Sequence, residues 1–197
     1  MNPGDIVSTS DMLSNKAKFP TEANDVMNVA QELEDMYGDS GVIFQFQTAE
    51  LKGQSKNTVM AYYDGSNIAI NENFMDTQKM TAAYDNCVQS GYHPGRGNRS
   101  AMEATAAHEF GHALSDAAAK KMGLSNLDQA STKIVQEARK QTNHRGVNQM
   151  TSRISGYAKQ SHAEAVAEAF ADVFCNGGNA KAESQAIVNV MNKYLGK

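Results

Sequence analysis

Tryptophan is absent from this chain of 197 residues, proline occurs three times and cysteine twice. Two cysteines as far apart as Cys87 and Cys175, with no CxxC spacing, argue against a disulfide framework or a thiolate zinc site. Both read as reduced thiols in or near the core. No apolar run approaches the ~20 residues that a membrane-spanning helix needs. The opening "MNPGDIVSTSDMLSNKAKFP" also lacks the charged start and apolar stretch of a signal peptide. A membrane is therefore not an expected partner, and the chain as it stands reads as cytoplasmic. Nor is there a basic face: the formal net charge is −4 and the lysines and arginines are scattered, so nucleic acid is not an expected partner either.

What is present fits an ordinary globular protein, with 41% hydrophobic and 20% charged residues and enough length to bury a core. Residues 1–20 are polar, end in Pro20 and read as a flexible arm, which leaves 21–197 as one domain. "TEANDVMNVAQELEDMYG" carries an apolar stripe at Val26, Val29, Ala30, Leu33 and Met36 that predicts a helix closed by Gly38. "GVIFQFQT", "NTVMAYYD" and "NIAIN" read as strands, with Asp64-Gly65 as a hairpin turn between the last two. Helices are expected over 74–90, from a capping box at Ser100 and Glu103 to a stop at Gly123, over 125–141, over 161–174 and over 180–196. Residues 142–160 show no sustained period. A few strands followed mostly by helices predict an α+β fold, a small sheet lobe and then a helical lobe.

The sharpest motif is "HEFGH" in the longest predicted helix. His108 and His112 stand one turn apart on one face, where both imidazoles can reach one Zn²⁺. Glu109 is rotated towards a water on the open side of the ion, where a carboxylate can take its proton. Gly111, costly in a helix by about 1 kcal/mol against Ala, predicts a close approach by another element. A catalytic zinc wants a third protein ligand. A third histidine six residues on is ruled out, because Ala118 occupies that position.

A carboxylate from a later helix is the remaining common solution, and "SHAEAVAEAFADVF" offers Glu164, Glu168 and Asp172 at intervals of four. A ligand acid followed four residues later by an acid that orients a ligand histidine fits both Glu164 with Glu168 and Glu168 with Asp172. Ser161 to Glu164 is also a capping-box sequence, in which Glu164 would turn back to the helix N-terminus. Spacing leaves these readings open.

Taken together, "HEFGHAL" and "GYAKQSHAEAVAEAF" resemble the catalytic domain of anthrax lethal factor and its relatives, a zincin group that includes the Pro-Pro endopeptidases and domains of phage head-morphogenesis proteins. The shared pattern falls on Tyr157, Glu164, Glu168, Ala169 and Phe170. The resemblance implies a zincin-like fold in which His108, His112 and Glu164 bind zinc, Tyr157 stabilises the oxyanion and Glu168 orients a ligand histidine. It implies a zinc endopeptidase with peptide or protein substrates, Asp172 being left as a surface charge. The alternative is a silent or assembly-related zinc-binding module of phage origin, associated with the particle. Ala165-Val166 stand where the family often has two aromatics. Outside the motif, His93 is placed to line a substrate cleft, His144 and His162 read as solvated, and "NIAIN" reads as an edge strand on which a substrate pairs.

Overall fold

The computed structural model describes residues 18–40 and 45–197, apart from the side chain of Asp39. Most of the flexible arm expected over 1–20, and the first half of "GVIFQFQT", lie outside the described residues. Helix α1 (Pro20–Tyr37) buries Val26, Val29, Ala30 and Leu33 but leaves Met36 exposed, the stripe passing to Tyr37. Gly38 keeps right-handed helical geometry and leads into a 3-10 turn, so it is not the left-handed stop expected of it.

Among the described residues the sheet has three strands, β1 (Gln45–Ala49), β2 (Ala61–Tyr63) and β3 (Asn67–Asn71), in the order β1-β3-β2. β1 runs parallel and β2 antiparallel to β3. "NIAIN" is therefore the central strand and not an edge. Ile68, Ala69, Ile70 and Asn71 are all fully buried, and Asn71 donates to the carbonyls of Lys56 and Val59. Alternation reports which faces are covered, not which edges are paired, so five residues of pattern left this undecided. The strand expected over 57–64 shrinks to β2, because Ser55–Thr58 winds into a short helix, α2. The hairpin turn forms where Asp64 and Gly65 predict it: the Asp64 carboxylate accepts the amides of Ser66 and Asn67, and Gly65 takes φ 98°.

Helices α3 (Thr77–Gln89), α4 (Ala101–Met122), α5 (Leu127–Gln141), α6 (Val147–Ile154), α7 (His162–Asn176) and α8 (Ala182–Leu195) complete the described chain. Asp76 and Asn126 cap α3 and α5. The capping box of Ser100 and Glu103 starts α4, and Gly123 ends it in the left-handed conformation. α6 falls in the stretch without a visible period; its Met150, Thr151 and Ile154 form a stripe too short to register. α4 is the hub, packed by α1, α3, α5, α7, α8 and β2, which explains its many buried alanines: small side chains let neighbours approach from every side. At Gly111 the approach is close: a Cβ there would stand 2.7 Å from the Ala167 Cα of α7. α4 and α7 thus meet backbone to backbone at the level of both motifs. No described helix is long and apolar enough to cross a membrane.

Candidate metal centre

His108 and His112 project from one face of α4 towards Glu164 at the first turn of α7. The Glu164 Oε2 atom lies 3.2 Å from His108 Nε2 and 3.5 Å from His112 Nε2. One ligand atom from each of the three residues falls within 4.8 Å of the others. The capping alternative is resolved by a division of labour within one residue. The Ser161 hydroxyl accepts the Glu164 backbone amide at 3.1 Å, while the Glu164 carboxylate turns to the histidines.

Three observations test whether this cluster fits a cation. The Oε2 atom of Glu164 is sealed from solvent and, among the described residues, receives no hydrogen bond of acceptable geometry. Such an atom is costly to bury unless a cation or donor meets it. The third observation concerns His108, whose Nδ1 gives its proton to Glu168 Oε1 at 2.8 Å, so that its neutral ring presents a bare Nε2 to Glu164. Acceptor then faces acceptor, an arrangement that a metal ion satisfies. Without one, a proton takes its place. Burial opposes charge on His108, but the Glu164 and Glu168 carboxylates outweigh it and push its pKa well above the ordinary histidine value. Burial likewise opposes charge on Glu164, and His108 and His112 overcome it, holding the carboxyl far below the usual range.

Glu168 is buried on the inner face of α7 and bonds three donors: His108 and His93 through their Nδ1 atoms on one oxygen, at 2.8 and 2.9 Å, and the Ser155 hydroxyl on the other, at 2.6 Å. Despite its burial, the two histidines hold its pKa to about 2. Ser155 in turn accepts the amide of Ala158, tying the turn that carries Tyr157 to the same acid. The Tyr157 ring stacks on His108, with centroids 5.6 Å apart, and on Tyr92, at 4.9 Å. Two backbone bonds, Gly156 N to Gly91 O and Tyr157 N to Tyr92 O, clamp that turn to the loop carrying His93. Burial and the Glu164 carboxylate raise the phenol's pKa above its ordinary value, so it stays a proton donor.

Glu109 faces β2 across a cleft that it lines together with Ala61, Tyr62 and Tyr63. Burial raises its pKa, with His108 and His112 pulling the other way. It stands on the border of two spaces. One is an open cleft of about 420 Å³ lined by His112, Glu164 and the β2 residues Ala61–Tyr63. The other is a more enclosed cavity of about 170 Å³ that includes His93 and Tyr84. His108, Glu109, Tyr157, Val59 and Ala61 line both.

The six residues singled out from the sequence, His108, Glu109, His112, Tyr157, Glu164 and Glu168, thus come together. Three other readings are corrected. Asp172 is buried and accepts from Asn176, the Lys181 amide and Ser184, so it is a structural acid and not a surface charge. His144 pairs with Glu183 at 2.8 Å and His162 with Thr132 at 3.0 Å, so neither is simply solvated. Ser155 and Tyr92 went unseen because their partners are set by tertiary contacts and neither lies in a motif. Set against protein-family models, curated proteins and solved structures, the chain matches none of them.

Proposed function

We propose that the chain is a zincin-like zinc endopeptidase. The observation that carries the reading is the buried Glu164 oxygen left without a donor between two histidine Nε2 atoms. Ligands 2.0–2.1 Å from a tetrahedral zinc stand about 3.3 Å from one another. That spacing agrees with the 3.2 and 3.5 Å measured from Glu164 to the histidines. His108, His112 and Glu164 hold the ion, and three ligands leave a position open.

When bound, Zn²⁺ supplies the Lewis acidity that lowers a water's pKa towards 7 and polarises a carbonyl. The remaining work falls to the chain. Glu109, its basicity raised by burial, takes the proton of the attacking water and passes it to the leaving amine. Tyr157 donates its phenolic proton in a hydrogen bond to the developing oxyanion. Glu168 fixes the His108 tautomer through Nδ1, which keeps Nε2 free for the metal. β2, at the edge of the strand order, lines the cleft with Ala61, Tyr62 and Tyr63 and offers a peptide main chain a strand to pair with. That role passes from "NIAIN" to its neighbour.

The decisive comparison is between the zinc-loaded protein and Glu109→Gln. The wild type is expected to cut casein or library peptides and to stop on chelation. The variant keeps stoichiometric zinc and loses about 10²–10⁴-fold in rate, the usual contribution of a general base. Equal turnover by the variant overturns the mechanism. An inert wild type carrying stoichiometric zinc overturns the enzyme reading and leaves the zinc-binding module in its place.

A further inference from the structure

We propose that the enclosed cavity beside Glu109 is a subsite for one substrate side chain, selecting neutral residues with a hydrogen-bond donor at their tip, and that His93 is its specificity-determining residue. The inference rests on the peptidase reading for the identity of the occupant. The cavity shares His108, Glu109 and Tyr157 with the cleft, so whatever enters it flanks the reacting carbonyl. Its volume of about 170 Å³ slightly exceeds the ~150 Å³ of a cavity known to take benzene, so an aromatic ring or a side chain of similar bulk fits.

The walls are largely apolar or aromatic, among them Val59, Met60, Ala61 and Tyr84. Polar groups there are mostly committed elsewhere: the Tyr84 hydroxyl donates to Pro94 O and the Thr105 hydroxyl to Ala101 O. A carboxylate would enter beside Glu109 and Glu168 and be repelled. A long cation would leave its charge among largely apolar walls, since Glu168 is already saturated by His93, His108 and Ser155.

His93 differs. Its side chain is 9% exposed, its ring stacks on Tyr84 with centroids 5.3 Å apart and planes 12° from parallel, and its Nδ1 is bound to Glu168. The ring is therefore held in one orientation. Donating through Nδ1, the neutral imidazole keeps a bare acceptor at Nε2. That atom bonds to no described residue and is not sealed off, and the ring lines the cavity. A phenol or carboxamide tip can satisfy it, whereas a hydrocarbon of the same shape leaves it unpaired.

The test uses side-chain analogues on the metal-free full chain, so that no phenol goes to the metal: p-cresol for tyrosine and toluene for phenylalanine, titrated by NMR in mildly alkaline buffer. The expected result is about tenfold tighter binding of p-cresol, the usual net worth of one hydrogen bond, with the His93 Nε2 resonance moving for p-cresol and not for toluene. His93→Asn keeps an amide donor for Glu168 and lacks the Nε2 acceptor, and its preference ratio should fall towards one. Equal binding of the two probes, binding of neither, or an unchanged ratio in the variant overturns the proposal. The Nε2 resonance needs no variant and decides the matter if His93→Asn does not fold. With zinc loaded, peptides with Tyr over Phe, or Asn over Leu, at the selected position should be cut preferentially. An absence of cleavage alongside the p-cresol preference would remove the peptidase reading alone.

Discussion

Glu164 and Asp172 belong to the same helix, carry the same charge and turn inward, yet their oxygens are treated in opposite ways. Asp172 accepts three hydrogen bonds, one from Asn176 within α7 and two, from the Lys181 amide and Ser184, that tie α7 to the start of α8. Glu164 faces two imidazoles with a sealed oxygen that receives no hydrogen bond of good geometry from the described residues. A buried acid surrounded by donors is finished and serves the scaffold; one surrounded by acceptors waits for a cation. Glu168, between them, is saturated like Asp172, but two of its three donors are histidines of the site. The number and the identity of the donors around each carboxylate thus separate the three roles, where their even spacing does not.

The largest effect expected from this contrast is in Glu164→Gln. The amide offers the metal a weaker, uncharged oxygen, and stoichiometric zinc should be lost in metal analysis of the purified protein while the fold persists. Retention of full zinc by that variant would break the comparison at its centre. Glu168→Gln comes next. It leaves one oxygen and an NH2 group to meet the three donors that the carboxylate accepts, so the His108 tautomer is no longer held firmly, and zinc affinity should fall about 10–100-fold in a competition titration, the usual cost of disturbing such a partner. An unchanged affinity would mean that Ser155 and His93 hold the site without it.

Asp172→Asn should do the reverse. One amide oxygen cannot accept everything the carboxylate does, and its NH2 group faces donors. Stability should therefore drop by about 1–3 kcal/mol in denaturant unfolding, with zinc stoichiometry intact. Loss of zinc from a folded Asp172→Asn would erase the distinction between the two ends of α7.

Much of the site was legible because its signals are local. The HExxH spacing puts two imidazoles on one helical face whatever surrounds them, and a capping box and a left-handed glycine mark the ends of α4. Gly111 announced a close approach because a helix-interior glycine is costly, and α7 supplies it. What stayed hidden is non-local. His93 meets Glu168 across 75 positions of sequence, and Ser155 meets it from a turn with no pattern of its own. The place of β3 at the centre of the sheet depends on β1 crossing to its far side, which no property of "NIAIN" encodes. Asp172 reads as a surface charge in any helical projection, since the donors that satisfy it in the interior come largely from the start of α8.

The smallest effect tests Glu164 against itself. Its amide belongs to the helix cap and its carboxylate to the candidate metal cluster, so the two functions should separate under mutation. Ser161→Ala removes the hydroxyl that accepts the Glu164 amide and should cost about 1 kcal/mol of stability, the ordinary worth of a serine N-cap. Zinc stoichiometry should not change, because α7 is held at the level of Glu164 by its contact with α4 as well as by its own first turn. Thermal unfolding of the metal-free protein reads the first quantity and metal analysis the second. If Ser161→Ala lost zinc as completely as Glu164→Gln, the carboxylate would depend on the cap for its place, and the capping box and the ligand would be one device after all.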